Sequence, residues 1–228
     1  MDGSGAHRRR VPSMRGPWRG SVAAVRVEQR QDGTFSTPYW NLCMSVTTLD
    51  TNTALIVVDL QKGIVGRPSV HPIDAVIANA AALADAFRAC DLPVVLVNVD
   101  GAAPGRTEQR RGSHERPDGW SDLIPELNRQ SGDPVVTKRT WGAFTGTGLA
   151  EHLKALDVSQ VVVTGVATSI GVESTARHAY ELGFNVTLAL DAMTDVDAEA
   201  HAHSVGRIFP RLGETGTTRQ ILDLLRRR

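Results

Sequence analysis

QVVVTGVATSIGVESTARHAYELG, residues Gln160 to Gly183, is the stretch whose reading decides the fold. Its first seven residues form a Val-rich run without polar alternation, the pattern of a parallel strand buried on both faces. ATSIG then reads as a tight turn, and a helix begins near Gly171. In sheets built from such strand-turn-helix units, ligands bind beyond the carboxyl ends of the strands. The turn from Ala167 to Gly171 is therefore a place to look for chemistry.

The same unit recurs on both sides of this stretch. ALIVVDL (54–60), PVVLVNV (93–99), PVVTK (134–138) and NVTLALD (185–191) are further apolar runs bounded by turn residues. A short sixth strand is expected through Arg211 to Thr215. Helical spacing of apolar residues predicts helices over Asp74–Ala89, Gly148–Leu156, Val172–Leu182, Ala198–Arg211 and Thr217–Leu225, with a short one in SDLIPELN. Alternation of this kind implies right-handed crossovers. The expected fold is α/β, a Rossmann-like three-layer α/β/α sandwich around a six-stranded, mostly parallel sheet.

Residues 1–43 contain HRRR with scattered Gly and Pro and no sustained apolar period, so they are expected to form a flexible N-terminal extension to a domain spanning 44–228. The chain carries 25 basic and 25 acidic residues, a formal charge of zero, which gives no bulk attraction to nucleic acid or to a membrane surface. No apolar run reaches the roughly 20 residues a membrane span needs. Cys43 and Cys90 are far apart and outside any Cys/His cluster, which fits reduced thiols in a cytoplasmic protein. Cys90 ends the 74–89 helix and is expected to be half-buried.

The strand ends supply the candidate site. Asp59 closes the first strand, Asp100 the second, Lys138 the third and Asp191 the fifth. An Asp among apolar neighbours and facing a lysine can be tuned as a proton donor or acceptor, or it can simply cap the following turn. Lys138 is open to a snorkelling surface role as well. Gln61 either orients Asp59 within the pocket or stabilises its turn. Trp141 and Phe144 either line an apolar wall or pack in the core. Arg106, Arg110, Arg111 and His114 lie in a long charged connection that reads first as a solvated loop. No metal is expected, since Asp100 lacks a nearby histidine and His201 and His203 do not share a helix face. No cofactor is implied either.

The combination of Asp59 with Gln61, the Lys138–Phe144 segment KRTWGAF, and GVATSIGVESTAR from Gly165 to Arg177 resembles the isochorismatase-like hydrolases, also called the cysteine hydrolase superfamily. The likeness runs from about Ala54 to Leu225. It implies a catalytic Asp59–Lys138 pair, with Gly171 standing where the family carries its nucleophilic cysteine. It also implies a non-proline cis peptide at Val166–Ala167. Gln61, Trp141, Phe144, Val166, Ala167 and Ile170 are then expected around the substrate. Glycine has no nucleophile, and neither Ser169 nor Ser174 occupies the matching position.

Some isochorismatases share that glycine, and cleavage of an enol ether needs a proton more than a nucleophile. The resemblance therefore implies a hydrolase acting on a small carboxylate-bearing metabolite by Asp/Lys acid-base chemistry, with Lys138 holding substrate carboxylates or tuning Asp59. A homo-oligomer is expected, as oligomers are common among relatives. The alternatives are a catalytically silent binding protein, or an amide hydrolase using water or serine.

Overall fold

The computed structural model describes residues 46–108 and 116–228. The expected 1–43 extension with Cys43, and also Arg110, Arg111 and His114, lie outside the described residues. The six strands are β1 (Thr53–Val58), β2 (Val94–Val99), β3 (Val135–Lys138), β4 (Gln160–Val166), β5 (Asn185–Thr194) and β6 (Glu214–Gly216). They form one sheet in the order β3-β2-β1-β4-β5-β6, and every neighbouring pair is parallel. The helices are α1 (Lys62–Val65), α2 (Ile73–Ala89), α3 (Leu149–Ala155), α4 (Glu173–Glu181), α5 (Ala198–His203), α6 (Phe209–Leu212) and α7 (Thr218–Leu225).

Alternation along β1 explains the three layers. Ala54, Ile56 and Val58 join Leu153 of α3, Ala176 of α4 and Phe209 of α6 in one core. Leu55 and Val57, pointing the other way, join Leu83 and Phe87 of α2 and Ile221 of α7 in the second. Every residue of β1 and β4 is buried, which is why both read as continuous apolar runs.

β1 pairs with β2 on one side and with β4 on the other, so the strand order reverses between β1 and β4. A crevice at the carboxyl ends of the strands is expected at that reversal. The two strands approach so closely there that a Cβ on Gly165 would be driven into the Val58 carbonyl, and Gly165 also has φ 118°. Only glycine serves at that position.

Five expectations need correction. β5 does not stop at Asp191 but runs on to Thr194, past a register shift against β4 between Val163 and Gly165. Asp191 is exposed, so its carboxylate can leave the sheet and cap α7, accepting from Thr218 N at 2.6 Å and Thr218 Oγ1 at 2.8 Å. The single helix expected over 198–211 is divided into α5, a π turn at Ser204–Ile208 and α6. Pro210 lacks an N–H and its ring crowds the carbonyl four residues back, which opens the ladder there. The sixth strand consequently shifts to Glu214–Gly216.

The short helix of SDLIPELN is only a 3-10 turn at Pro125–Leu127. Cys90 is exposed, because α2 ends at Ala89 and the chain turns away before the next core-facing position. Among the described residues no helix is long and apolar enough to cross a membrane.

Candidate active site

Asp59 is the first residue beyond β1 and adopts φ 53°, a left-handed conformation that Asp tolerates better than bulkier residues. Its backbone N–H donates to Val97 O at 2.9 Å, holding it against the end of β2. Lys138, the last residue of β3, donates from Nζ to Asp59 Oδ2 at 2.7 Å and to Thr140 O at 3.3 Å. The lysine is 2% exposed and the aspartate 6%, so the pair is buried rather than snorkelled to the surface.

Asp59 Oδ1 is buried and has no hydrogen-bond partner. Burial outweighs the lysine's favourable charge and hydrogen bond, and the Asp59 pKa is pushed up from 3.8 to about 6. One oxygen is thus fixed by a cation, while the other is buried without a partner.

β4 arrives beside this pair. Its exit peptide, Val166–Ala167, is cis, and the chain continues through a π turn at Thr168–Val172 before α4 begins. Gly171 is therefore in the turn before the regular helix. A Cβ there would stand 3.2 Å from Asp59 Oδ2, 3.0 Å from Val58 Cγ1 and 3.3 Å from Val166 O. The turn is braced from two sides. Thr175 Oγ1 donates to Gly171 O at 2.7 Å and accepts from Ala143 N at 3.1 Å. Asp195, at the end of β5, accepts from Ser169 N at 2.7 Å and from Val196 N at 2.8 Å.

These elements enclose a cavity of about 260 Å³ that contains Asp59, Lys138, Val166, Ala167, Ile170 and Gly171 in its lining. Trp141 also lines it and is 64% exposed, so it stands at the mouth. Gln61 and Phe144 are corrected by the structure. Gln61 is fully buried with both ends of its amide on backbone groups: Nε2 donates to Val99 O and Trp120 O, and Oε1 accepts from Val99 N. It braces the strand ends and does not line the cavity. Phe144 packs in the core, stacked on Phe184 with centroids 6.0 Å apart.

Asp100 forms an ion pair with Arg116 at 2.9 Å, and that guanidinium lies 4.4 Å from the centroid of Trp120. Arg106 is exposed and does not line the cavity.

A larger cavity, about 560 Å³, opens between α2, β5 and α7 and is lined in part by His71, Asn79, Asp191 and His201. Burial, and secondarily the nearby His71, push the His201 pKa down against the opposing pull of Asp195. Asp59 and Lys138 are not in its lining; the smaller cavity is the one that contains this buried pair. Arg67, Ser69, Ile73 and Val196 also line the smaller cavity, and none of them was expected from sequence. The run GRPSV (66–70) carries turn-forming Gly, Pro and Ser, but nothing in its composition places Arg67 and Ser69 in one cavity lining with Asp59.

The Isochorismatase domain family model matches residues 53–220. The isochorismatase family protein YwoC of Bacillus subtilis is 43% identical over 181 residues, covering 75% of this chain and 93% of that protein. YecD of Escherichia coli O157:H7, described likewise as an isochorismatase family protein, is 38% identical over 182 residues, covering 76% and 96% respectively. A solved isochorismatase family structure from Burkholderia thailandensis superposes with a TM-score of 0.77 at 40% identity, covering 80% of this chain and all of that one.

Proposed function

Because the chain belongs to the isochorismatase family, whose members are hydrolases, we propose that it hydrolyses a small carboxylate-bearing metabolite by acid-base chemistry at Asp59 and Lys138. No covalent cysteine intermediate forms in this reading, because Gly171 stands at the nucleophile's position. The observation that carries it is the divided carboxyl of Asp59. Oδ2 is held by Lys138, while Oδ1 is unpartnered in a group whose pKa is about 6. Lys138 is committed to Asp59 and Thr140, which favours its tuning role over a grip on substrate.

For an enol pyruvyl ether such as isochorismate, Asp59 donates its proton to the vinyl carbon, forming a C–H bond and an oxocarbenium ion. Water adds to the cationic carbon and returns a proton to the Asp59 carboxylate. The resulting hemiketal then breaks its C–O bond to release pyruvate and the ring alcohol. Gly171 lines the cavity beside Asp59 and offers no side chain to the reaction. Neither Ser169 nor Ser174 lines the cavity, which weighs against a serine nucleophile.

The reading includes a homo-oligomer in the cytoplasm. Exposed apolar side chains at the cavity mouth, Trp141 and Val196, support the first, and the unpaired Cys90 thiol is compatible with the second. The test is pyruvate release from isochorismate by the purified chain, with Asp59→Asn as the matched control. Release abolished in the variant supports the mechanism. No release by the wild-type chain would sink it for this substrate and favour a silent binder.

A further inference from the structure

The charged residues lining the smaller cavity are Asp59, Lys138 and Arg67. The first two are joined at 2.7 Å and their formal charges cancel. While Asp59 is ionised, the net charge offered to a ligand therefore comes from Arg67. Its guanidinium makes no hydrogen bond or ion pair with any described residue, whereas Arg88, Arg116, Arg177 and Arg226 each hold a carboxylate. Arg67 is also solvent-exposed, so its charge stays hydrated in the free protein and needs no internal counter-ion.

Its backbone is held at the right place. Arg67 N donates to Ile64 O at 3.1 Å, directly after the C-terminus of α1, and Pro68 follows. A residue before proline is biased to extended conformations, which limits how far the segment can swing from the cavity. A planar guanidinium with free N–H groups matches a carboxylate in a way that a lysine ammonium does not.

We propose that Arg67 is the specificity-determining residue of this site, binding the substrate carboxylate at the cavity mouth while Asp59 and Lys138 stay paired at its base. The inference rests on the reading of this cavity as the substrate site. It assigns to Arg67 a task for which Lys138 has too few free donors. It also separates recognition from proton transfer, since the group that reads the substrate's charge is not the group that donates the proton.

The test is calorimetric titration of the full chain with benzoate and with its uncharged counterpart benzamide, in the wild type and in Arg67→Gln, Arg67→Lys and Asp59→Asn. The wild type should bind benzoate more tightly than benzamide. Arg67→Gln should lose about tenfold in benzoate affinity, with benzamide unchanged as a control for folding, and Arg67→Lys should recover part of the loss. With isochorismate as substrate, Arg67→Gln should raise KM about tenfold and change kcat less. Equal benzoate affinity in wild type and Arg67→Gln, or no preference for benzoate in the wild type, would overturn the proposal. Asp59→Asn should keep the benzoate preference. Undiminished turnover in that variant would therefore remove the proposed reaction while leaving the benzoate comparison to decide Arg67.

Discussion

Lys138 Nζ reaches Asp59 Oδ2 at 2.7 Å although their strands are not neighbours, for β2 lies between β1 and β3 in the sheet. The pair bridges the carboxyl end of the intervening strand, and each partner is fixed by its own strand's register. Removing the lysine leaves a buried carboxyl with neither oxygen paired. Lys138→Ala should raise the Asp59 pKa further and destabilise the fold by on the order of 3 kcal/mol near neutral pH. Urea unfolding of the variant against wild type measures the second effect. Turnover should fall with it, because the proton would then bind Asp59 too tightly to be donated readily.

The raised pKa of Asp59 sets the direction of two pH dependences. A general acid must be protonated, so kcat/KM should fall tenfold per pH unit as pH rises above about 6. For stability, the carboxyl keeps its proton to about pH 6 when folded and only to about 3.8 when unfolded, so folding takes up a proton between those values. The folded state therefore loses stability as pH rises through that window, by on the order of 3 kcal/mol for this one group. Asp59→Asn should flatten that part of the stability curve in a denaturation series from pH 3 to 8.

Gly171 is bounded on three sides by groups with little freedom to move. A Cβ would press on Val58 Cγ1, Asp59 Oδ2 and the Val166 carbonyl at 3.0 to 3.3 Å, so each must yield by a few tenths of an ångström. Gly171→Ala should lower stability by about 1–3 kcal/mol. It should also reduce turnover, since the displaced atoms include the carboxyl that the proposed reaction uses as its acid. Thermal melting and isochorismate assays on the same preparation would check both; an alanine variant with native melting and full activity would show that the turn relaxes freely.

The sheet was legible because strands buried on both faces leave continuous Val-rich runs, as in β1 and β4, and because strand-end polar residues stand out against them. Asp59 and Lys138 stand out in that way, and the structure pairs them. Where polar residues do something other than end an element, the same signal misled. Asp191 looked like the stop of β5 but sits within the strand and caps α7, so Asp195, the residue that does terminate it, went unnoticed. Gln61 and Phe144 follow motif positions, but hydrogen bonding to Val99 and packing on Phe184 direct them away from the cavity. Arg67 could not be found from periodicity, since its placement depends on how a short turn folds over a strand end contributed by other residues.

Asp195 offers a test of how far the cavity depends on the turn that carries Gly171. It is 1% exposed, and its carboxylate accepts three backbone N–H groups: Ser169 at 2.7 Å, Val196 at 2.8 Å and Asp197 at 3.3 Å. Its own carbonyl accepts from Val70 N at 2.8 Å, three residues beyond Arg67. The residue thus ties the Thr168–Val172 turn, the exit of β5 and the segment bearing Arg67 to one point. Asp195→Ala would leave those partly buried donors without their acceptor, and a loss of about 1–3 kcal/mol is expected. Asp195→Asn keeps an acceptor oxygen and should restore most of that stability. If the turn is what positions the site, Asp195→Ala should lower kcat/KM for isochorismate under conditions where the variant is still fully folded, and Asp195→Asn should recover it. Equal activity in the folded alanine variant would confine Asp195 to a structural brace and show that the cavity is held without it.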